Sequence, residues 1–304
     1  MNLTENLVQE IQKVIVGKEN VIQNVLMAIL AKGHILLEDI PGVGKTTLAL
    51  AFSKALGMDY RRIQFTPDVM PSDVSGFSIY NQKSGEFEFR PGAAMSNIVL
   101  ADEINRASAK TQSAMLEIME ERQVTVDSRT YPLEPPFMVL ATQNPIESLG
   151  TYQLPEAQID RFMIKLSMGY PELSDEISIV MHGKKAKKEI SYAVSREEVV
   201  ELINENERVW VDELVASYIV HIVSATRTHA DIRLGKVLPR GSIALYAMAR
   251  AYALLQGRNY VIPDDVKYLA PYVLAHRIIL THTAKTEKKD PADIIRNIVA
   301  SVAV

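Results

Sequence analysis

In the ten residues EDIPGVGKTT, 38 to 47, glycines, a lysine and two threonines stand at a spacing that can cradle phosphate. A Walker A loop reads G-x-x-x-x-G-K-[ST]. Gly44, Lys45 and Thr46 fill its end, with Gly42 and Val43 before them, Thr47 after, and Asp39 where the first glycine belongs. The glycines that must lie close to phosphates are therefore present. Lys45 can compensate the charge of β- and γ-phosphates, and the Thr46 hydroxyl can ligate Mg²⁺. Asp tolerates unusual backbone angles better than most residues. Its carboxylate is compatible with nearby phosphates only if it points away or finds a donor.

A second group of acids completes the chemistry. In NIVLADEINRAS, Asp102 and Glu103 follow an apolar strand pattern. There an acid can reach Mg²⁺ held by Thr46 and a nucleotide, and its neighbour can polarise an attacking water. Asn144 ends FMVLATQN, expected beside the strand of Asp102, where a neutral amide can orient water without adding charge. Arg161 in LPEAQIDRF and Arg240 in LPRGS are candidate stabilisers of a phosphoryl transition state. Together these residues predict ATP and ADP binding with Mg²⁺.

The elements that must hold them follow from periodicity. Leu3, Leu7, Ile11 and Val14, then Val21, Val25 and Ile29, recur at helical spacing and predict two helices interrupted at Gly17. HILLEDI reads as a buried strand ending at Pro41 and Gly42, and a helix opens at Thr47 and closes near Gly57. Further short apolar runs at YRRIQFT, NIVLADE, FMVLATQ and FMIKLSM alternate with helical or turn-rich sequence, which argues for a parallel α/β sheet covered on both faces. FSIYNQKSGEFEFR and QVTVDSRTYPLEP have period-two patterning around Lys83-Ser84-Gly85 and Asp127-Ser128, and read as inserted hairpins. After Tyr170-Pro171 the strand patterns stop, Ser195 to Glu198 form a capping box, and Pro263 and Asp264 mark another helix start. The expected organisation is an α/β nucleotide-binding core over 1–170 and an all-helical domain over 171–304.

Bulk composition bounds the function classes. Apolar residues make up 47% of 304, enough for a sizeable core, and the formal net charge of −4 argues against a chain-wide nucleic-acid footprint. There is no cysteine, which excludes disulfides, zinc–thiolate sites and thiol nucleophiles. The first residues lack the pattern of a signal peptide and no apolar run is long enough to span a bilayer, so a cytoplasmic protein without membrane insertion is expected. Lys184 to Lys188 read as a solvated basic run, Met115 and Met119 as core filler, and His221, His229, His276 and His282 show no metal-ligand grouping.

From EDIPGVGKT through ADEINRASAKTQSAMLEIMEERQVTV, ATQNP, LPEAQIDRF and PRGSIALYAMARAYALLQGRNYVIPDDV, essentially the whole chain resembles the MoxR-family AAA+ ATPases. The resemblance implies an AAA+ P-loop core with inserted β-hairpins followed by a helical lid, and Asp at position 39 is familiar in that family. It implies that Gly42 to Thr47 hold the phosphates, Asp102 and Glu103 are Walker B, and Asn144 is sensor 1. It makes Arg161 the arginine finger offered to a neighbouring subunit, Arg240 sensor 2, and Val16 with Gly17 the segment that packs on adenine. Ala93-Ala94 depart from the family pattern, which bears on the exit of the first hairpin. The implied activity is ATP hydrolysis in a homo-oligomeric, hexameric ring that remodels partner proteins, often a von Willebrand factor A domain protein, or metalloenzyme complexes. A magnesium-chelatase-like motor subunit and a nucleic-acid-remodelling motor are the alternatives. The mixed charge of the hairpins makes a poor phosphate track, so stable nucleic-acid binding is not expected.

Overall fold

HILLEDI does hold a strand, Ile35–Glu38, and its neighbours explain why its first three residues are apolar. The computed structural model describes residues 3–40, 42–145, 152, 154–182, 190–233 and 237–304. Its strands are β1 (Ile35–Glu38), β2 (Tyr60–Gln64), β3 (Gly76–Asn81), β4 (Glu86–Pro91), β5 (Ile98–Asp102), β6 (Gln123–Val126), β7 (Arg129–Pro132), β8 (Met138–Gln143) and β9 (Ile164–Leu166). Five of them make one sheet in the order β2-β5-β8-β1-β9. The pairs β1 with β8, β8 with β5 and β5 with β2 are all parallel. Every residue of β5 is buried, as are the first three of β1 and the first five of β8. Strands covered on both faces read as continuous apolar runs rather than alternating ones.

Register fixes where function can sit. Glu38 pairs with Gln143, and Gln64 pairs with Asp102, so the carboxyl ends of β1, β8, β5 and β2 finish at one edge. In open parallel sheets that edge is where ligands bind.

The described residues fall into two compact units. One comprises Met1–Asn24, His34–Leu154 and Ser167–Val200, and the other Val25–Gly33, Pro155–Leu166 and Glu201–Val304. The first unit carries both expected hairpins, β3 with β4 and β6 with β7, each antiparallel. Asp127 and Ser128 both have positive φ, 49° and 65°, as a tight two-residue hairpin turn requires. Phe89 of β4 stacks on Tyr131 of β7 with ring centroids 4.1 Å apart, which joins the two hairpins. Residues beyond 171 form helices and, among the described residues, no strand. Ser195 and Glu198 exchange hydrogen bonds at the start of the helix Arg196–Arg208, which is the expected capping box. In the second unit the helices Pro239–Leu255, Pro263–Leu274 and Pro291–Ser301 each open on proline, whose missing N–H costs nothing in a first turn. Leu245, Met248, Val266, Leu269, Val273 and Ile295 are fully buried among them. Met115 and Met119 are buried in the first unit, as core filler should be.

His34 anchors β1 from its start. The Val139 N–H donates to its Nδ1 at 3.0 Å, so the ring proton sits on Nε2, which faces the Met119 carbonyl at 3.0 Å. Burial pushes its pKa down from 6.5 to about 4. The folded protein therefore holds a neutral imidazole where the unfolded chain takes up a proton, and the stability this provides is complete above pH 6.5 and lost as pH falls toward 4. The site should lose about 2 to 3 kcal/mol by pH 4.5. Urea unfolding of His34→Gln at pH 7 and pH 4.5 should show a clearly smaller drop than wild type. An equal drop in both proteins would mean that His34 is not a main source of the acid sensitivity.

Candidate functional site

The loop after β1 is shaped by two glycines in left-handed conformation. Gly42 has φ +91° and Gly44 φ +96°. A Cβ at Gly42 would meet nothing within 4 Å, and one at Gly44 only the Met168 methyl at 3.7 Å, so backbone conformation selects glycine here, not crowding. Gly44 caps the helix Lys45–Ala55 without any side-chain hydrogen bond. The first-turn N–H groups of that helix are thus left for a ligand, and Thr46 and Thr47 are exposed beside them. The helix starts two residues earlier than its apolar pattern predicts, because Lys45 and Thr46 form its first turn.

Asp39 meets the condition that its sequence position sets. The carboxylate is buried and accepts from Ser167 Oγ at 2.7 Å, Met168 N at 2.6 Å and Gly169 N at 3.1 Å. Its charge is satisfied by three donors of the chain itself. Its carbonyl has a second task, accepting from Lys45 Nζ at 2.8 Å.

The acids at the end of β5 are equally well partnered. Asp102 Oδ1 accepts from Thr142 Oγ at 2.6 Å, and its Oδ2 accepts from Arg62 Nη2 at 2.7 Å and Nε at 3.2 Å. Glu103 is left-handed, φ 56°, and its N–H donates to the same Thr142 hydroxyl at 2.9 Å. Its Oε2 accepts from Gln64 Nε2 at 2.8 Å and pairs with Arg106 Nε at 3.2 Å. Gln112, from the K-T-Q-S-A run, holds the turn that follows. Its side-chain amide donates to the carbonyls of Ile104, Ala107 and Tyr152 at 3.0 to 3.2 Å. Asn144, buried, follows β8, which lies beside β5 as expected, with β1 on its other side.

The structure therefore brings Gly42, Val43, Gly44, Lys45, Thr46 and Thr47 to the same sheet edge as Asp102, Glu103 and Asn144. Val16 is about one-third exposed, and Gly17 has φ +69° with Asp175 Oδ2 only 1.7 Å from where a Cβ would stand. No other residue fits at Gly17 without displacing Asp175. Arg161 and Arg240 belong to the second unit, Arg161 just after the helix Glu156–Ile159 and Arg240 in the first turn of Pro239–Leu255. Arg62, Gln64 and Thr142 escape a reading of the sequence. Arg62 and Gln64 share one face of β2 by their spacing, but only the pairing of β2 with β5 shows which acids they meet.

Comparison with known proteins agrees with this geometry. Residues 34–164 match the model of the ATPase family associated with various cellular activities (AAA), and residues 224–298 match that of the AAA lid domain. Chaperone MoxR1 of Mycobacterium tuberculosis is 40% identical over 99% of this chain and 82% of its own length. The chain belongs to the MoxR family of AAA+ ATPases. The uncharacterized YeaC protein of Bacillus subtilis is 53% identical, covering 98% of this MoxR-family chain and 93% of its own. A crystal structure from Cytophaga hutchinsonii, whose ATPase assignment is provisional, superposes with a TM-score of 0.92 at 42% identity, covering 99% of this chain and 94% of that one. The fold is thus an AAA+ parallel-sheet core followed by a helical AAA lid. Among the described residues no helix is long and apolar enough to cross a membrane.

The three donors on Asp39 predict a stability role for this residue. Hydrogen bonds to a charged group contribute about 1.5 to 3 kcal/mol. Asp39→Gly should lower unfolding stability at pH 7 by about 2 to 4 kcal/mol, since it also leaves the N–H groups of Met168 and Gly169 unmatched. Asp39→Asn, which keeps one acceptor oxygen, should lose less. A loss below about 0.5 kcal/mol in Asp39→Gly, the range of an ordinary surface change, would mean that these contacts carry no load.

Proposed function

We propose that this chain binds Mg²⁺ and ATP at the edge of its sheet, hydrolyses the nucleotide in a homo-oligomeric, hexameric ring, and uses the cycle to remodel a partner protein. One observation carries the reading: the Walker A loop, Asp102 with Glu103, and Asn144 follow three adjacent parallel strands, β1, β5 and β8, at one sheet edge. The uncapped helix start, its glycines and Lys45 fit a triphosphate. Thr46 and Asp102 are the groups that would hold Mg²⁺, which neutralises charge on the β- and γ-phosphates when bound.

The chain's own residues divide the remaining work. Lys45 exchanges the Asp39 carbonyl for phosphate oxygens. Glu103 polarises the attacking water, and Asn144 orients it. Because Gln64 and Arg106 both engage Glu103 Oε2, that oxygen accepts from water only after giving up these partners. Arg161 enters a neighbouring subunit's site and stabilises charge on the transferred group, while Arg240, of a helical lid over residues 171–304 that follows a core over 1–170, senses the γ-phosphate. Val16 and Gly17 form the surface for adenine.

The hairpin β3–β4 supports a protein partner. Phe77, Ile79, Tyr80 and Phe87 are exposed on it, and its charges are mixed, Glu86 and Glu88 with Lys83 and Arg90, which suits a polypeptide better than a phosphate backbone. A von Willebrand factor A domain protein is the partner the family resemblance favours, and the chaperone name of MoxR1 accords with it.

Titration with a fluorescent ATP analogue, with turnover measured alongside, tests the division of roles. Lys45→Ala should lose tight binding, whereas Glu103→Gln should bind ATP and stall. Equal loss of affinity in both variants would contradict the assignment.

A further inference from the structure

We propose that Arg277 is a positioning residue for Arg161: its buried guanidinium grips the chain on both sides of Arg161 and sets where that side chain leaves the fold. This deepens, and rests on, the reading of Arg161 as the charge donated to a neighbouring subunit. Arg277 ends the short 3-10 turn Ala275–Arg277, which follows the helix Pro263–Leu274, and is buried. Nε donates to Asp160 Oδ1 at 2.9 Å. Nη2 donates to the carbonyls of Asp160 at 3.3 Å and Phe162 at 2.7 Å. Nη1 donates to the Met163 carbonyl at 3.0 Å and to that of Val273. Residues 160, 162 and 163 are thus strapped to one planar group, with Arg161 between them.

The chemistry suits arginine alone. A guanidinium has five N–H donors in a rigid fork, whereas a lysine ammonium is a single point that cannot address separate carbonyls in fixed directions. His276 adds a second contact to the Phe162 carbonyl, through Nε2 at 3.1 Å, and Phe162 is fully buried. Burial lowers the Arg277 pKa to about 10, opposed by the Asp160 carboxylate, so the strap stays cationic at neutral pH. The stem of Arg277 also lies near Gly241, in the first turn of the helix Pro239–Leu255. A Cβ placed on Gly241 would stand 3.5 Å from Arg277 Cδ and 3.3 Å from Leu274 Cδ2.

A buried ion pair is weak evidence of net stabilisation, because desolvation offsets the attraction. Its value here lies in orientation. A misplacement of about 1 Å at a reacting centre can cost about a hundredfold in rate.

The test uses Arg277→Lys and Asp160→Asn in the full chain, with Arg161→Ala as reference. Both variants should melt cooperatively, assemble to wild-type mass, and keep ATP affinity and KM within about threefold, while kcat falls roughly ten- to a hundredfold. Adding Arg277→Lys to Arg161→Ala should cause no further loss, because a group that acts through Arg161 has nothing left to position. Mixing Arg277→Lys with Lys45→Ala subunits should restore turnover, since one supplies a sound loop and the other a sound finger. Wild-type kcat in both variants, a further loss on top of Arg161→Ala, or collapse of the fold in both would overturn the proposal. If Arg161→Ala itself turns over normally, the finger reading fails and the role of Arg277 falls with it. Loss in Arg161→Ala with wild-type kcat in Arg277→Lys and Asp160→Asn sinks the positioning role alone.

Discussion

A buried carboxylate at the start of the loop is the constraint on which the proposed nucleotide site rests. Asp39 takes donors from three successive residues, 167 to 169, through its side chain and holds Lys45 through its carbonyl. The loop is thereby fixed at its start by β1 and the segment at 167–169, and tied to its end through Lys45. A loop whose conformation is set in advance loses less entropy when it closes on phosphate. Aspartate serves here where the Walker A pattern expects glycine because it supplies a fixed acceptor to two backbone N–H groups.

The same logic extends to the acids. Asp102 and Glu103 sit at the end of a fully buried strand, where an unpaired charge is costly. Arg62, Gln64 and Thr142, from the strands on either side, satisfy them. A Mg²⁺ held at Asp102 would compete with Arg62 for the carboxylate and so would replace one charged partner with another. The parallel register makes this exchange local, because Gln64 and Asp102 are paired residues. In the second unit Arg277 plays a comparable part, with its N–H groups committed to the chain around Arg161.

Much of this was legible in the sequence because it depends on local pattern. The strands, the turn at Asp127-Ser128 and the capping box at Ser195 announce themselves through period, turn chemistry and spacing. Asn144 is expected at the end of a strand beside the acids, and β8 does lie beside β5. What was not legible depends on pairing across long separations. Arg62 looks like any exposed strand arginine until β2 lies against β5, 40 residues away from Asp102 in the chain. Asp39 posed a question that only residues 167 to 169 could answer. Arg277 carries no signal at all, since the partners that flank Arg161 lie 114 to 117 residues earlier. The helix Pro71–Ser75 was missed because five residues hold too little periodicity to register.

On the proposed function, a site preset within one subunit should hydrolyse ATP only when a neighbour's Arg161 completes it. Turnover per subunit, measured with saturating Mg²⁺ and ATP over a dilution series in which oligomer mass is followed in the same samples, tests it most directly. Specific activity should rise with the assembled fraction and fall toward zero as subunits separate. A turnover per subunit that stays constant from assembled ring to isolated monomer would contradict it.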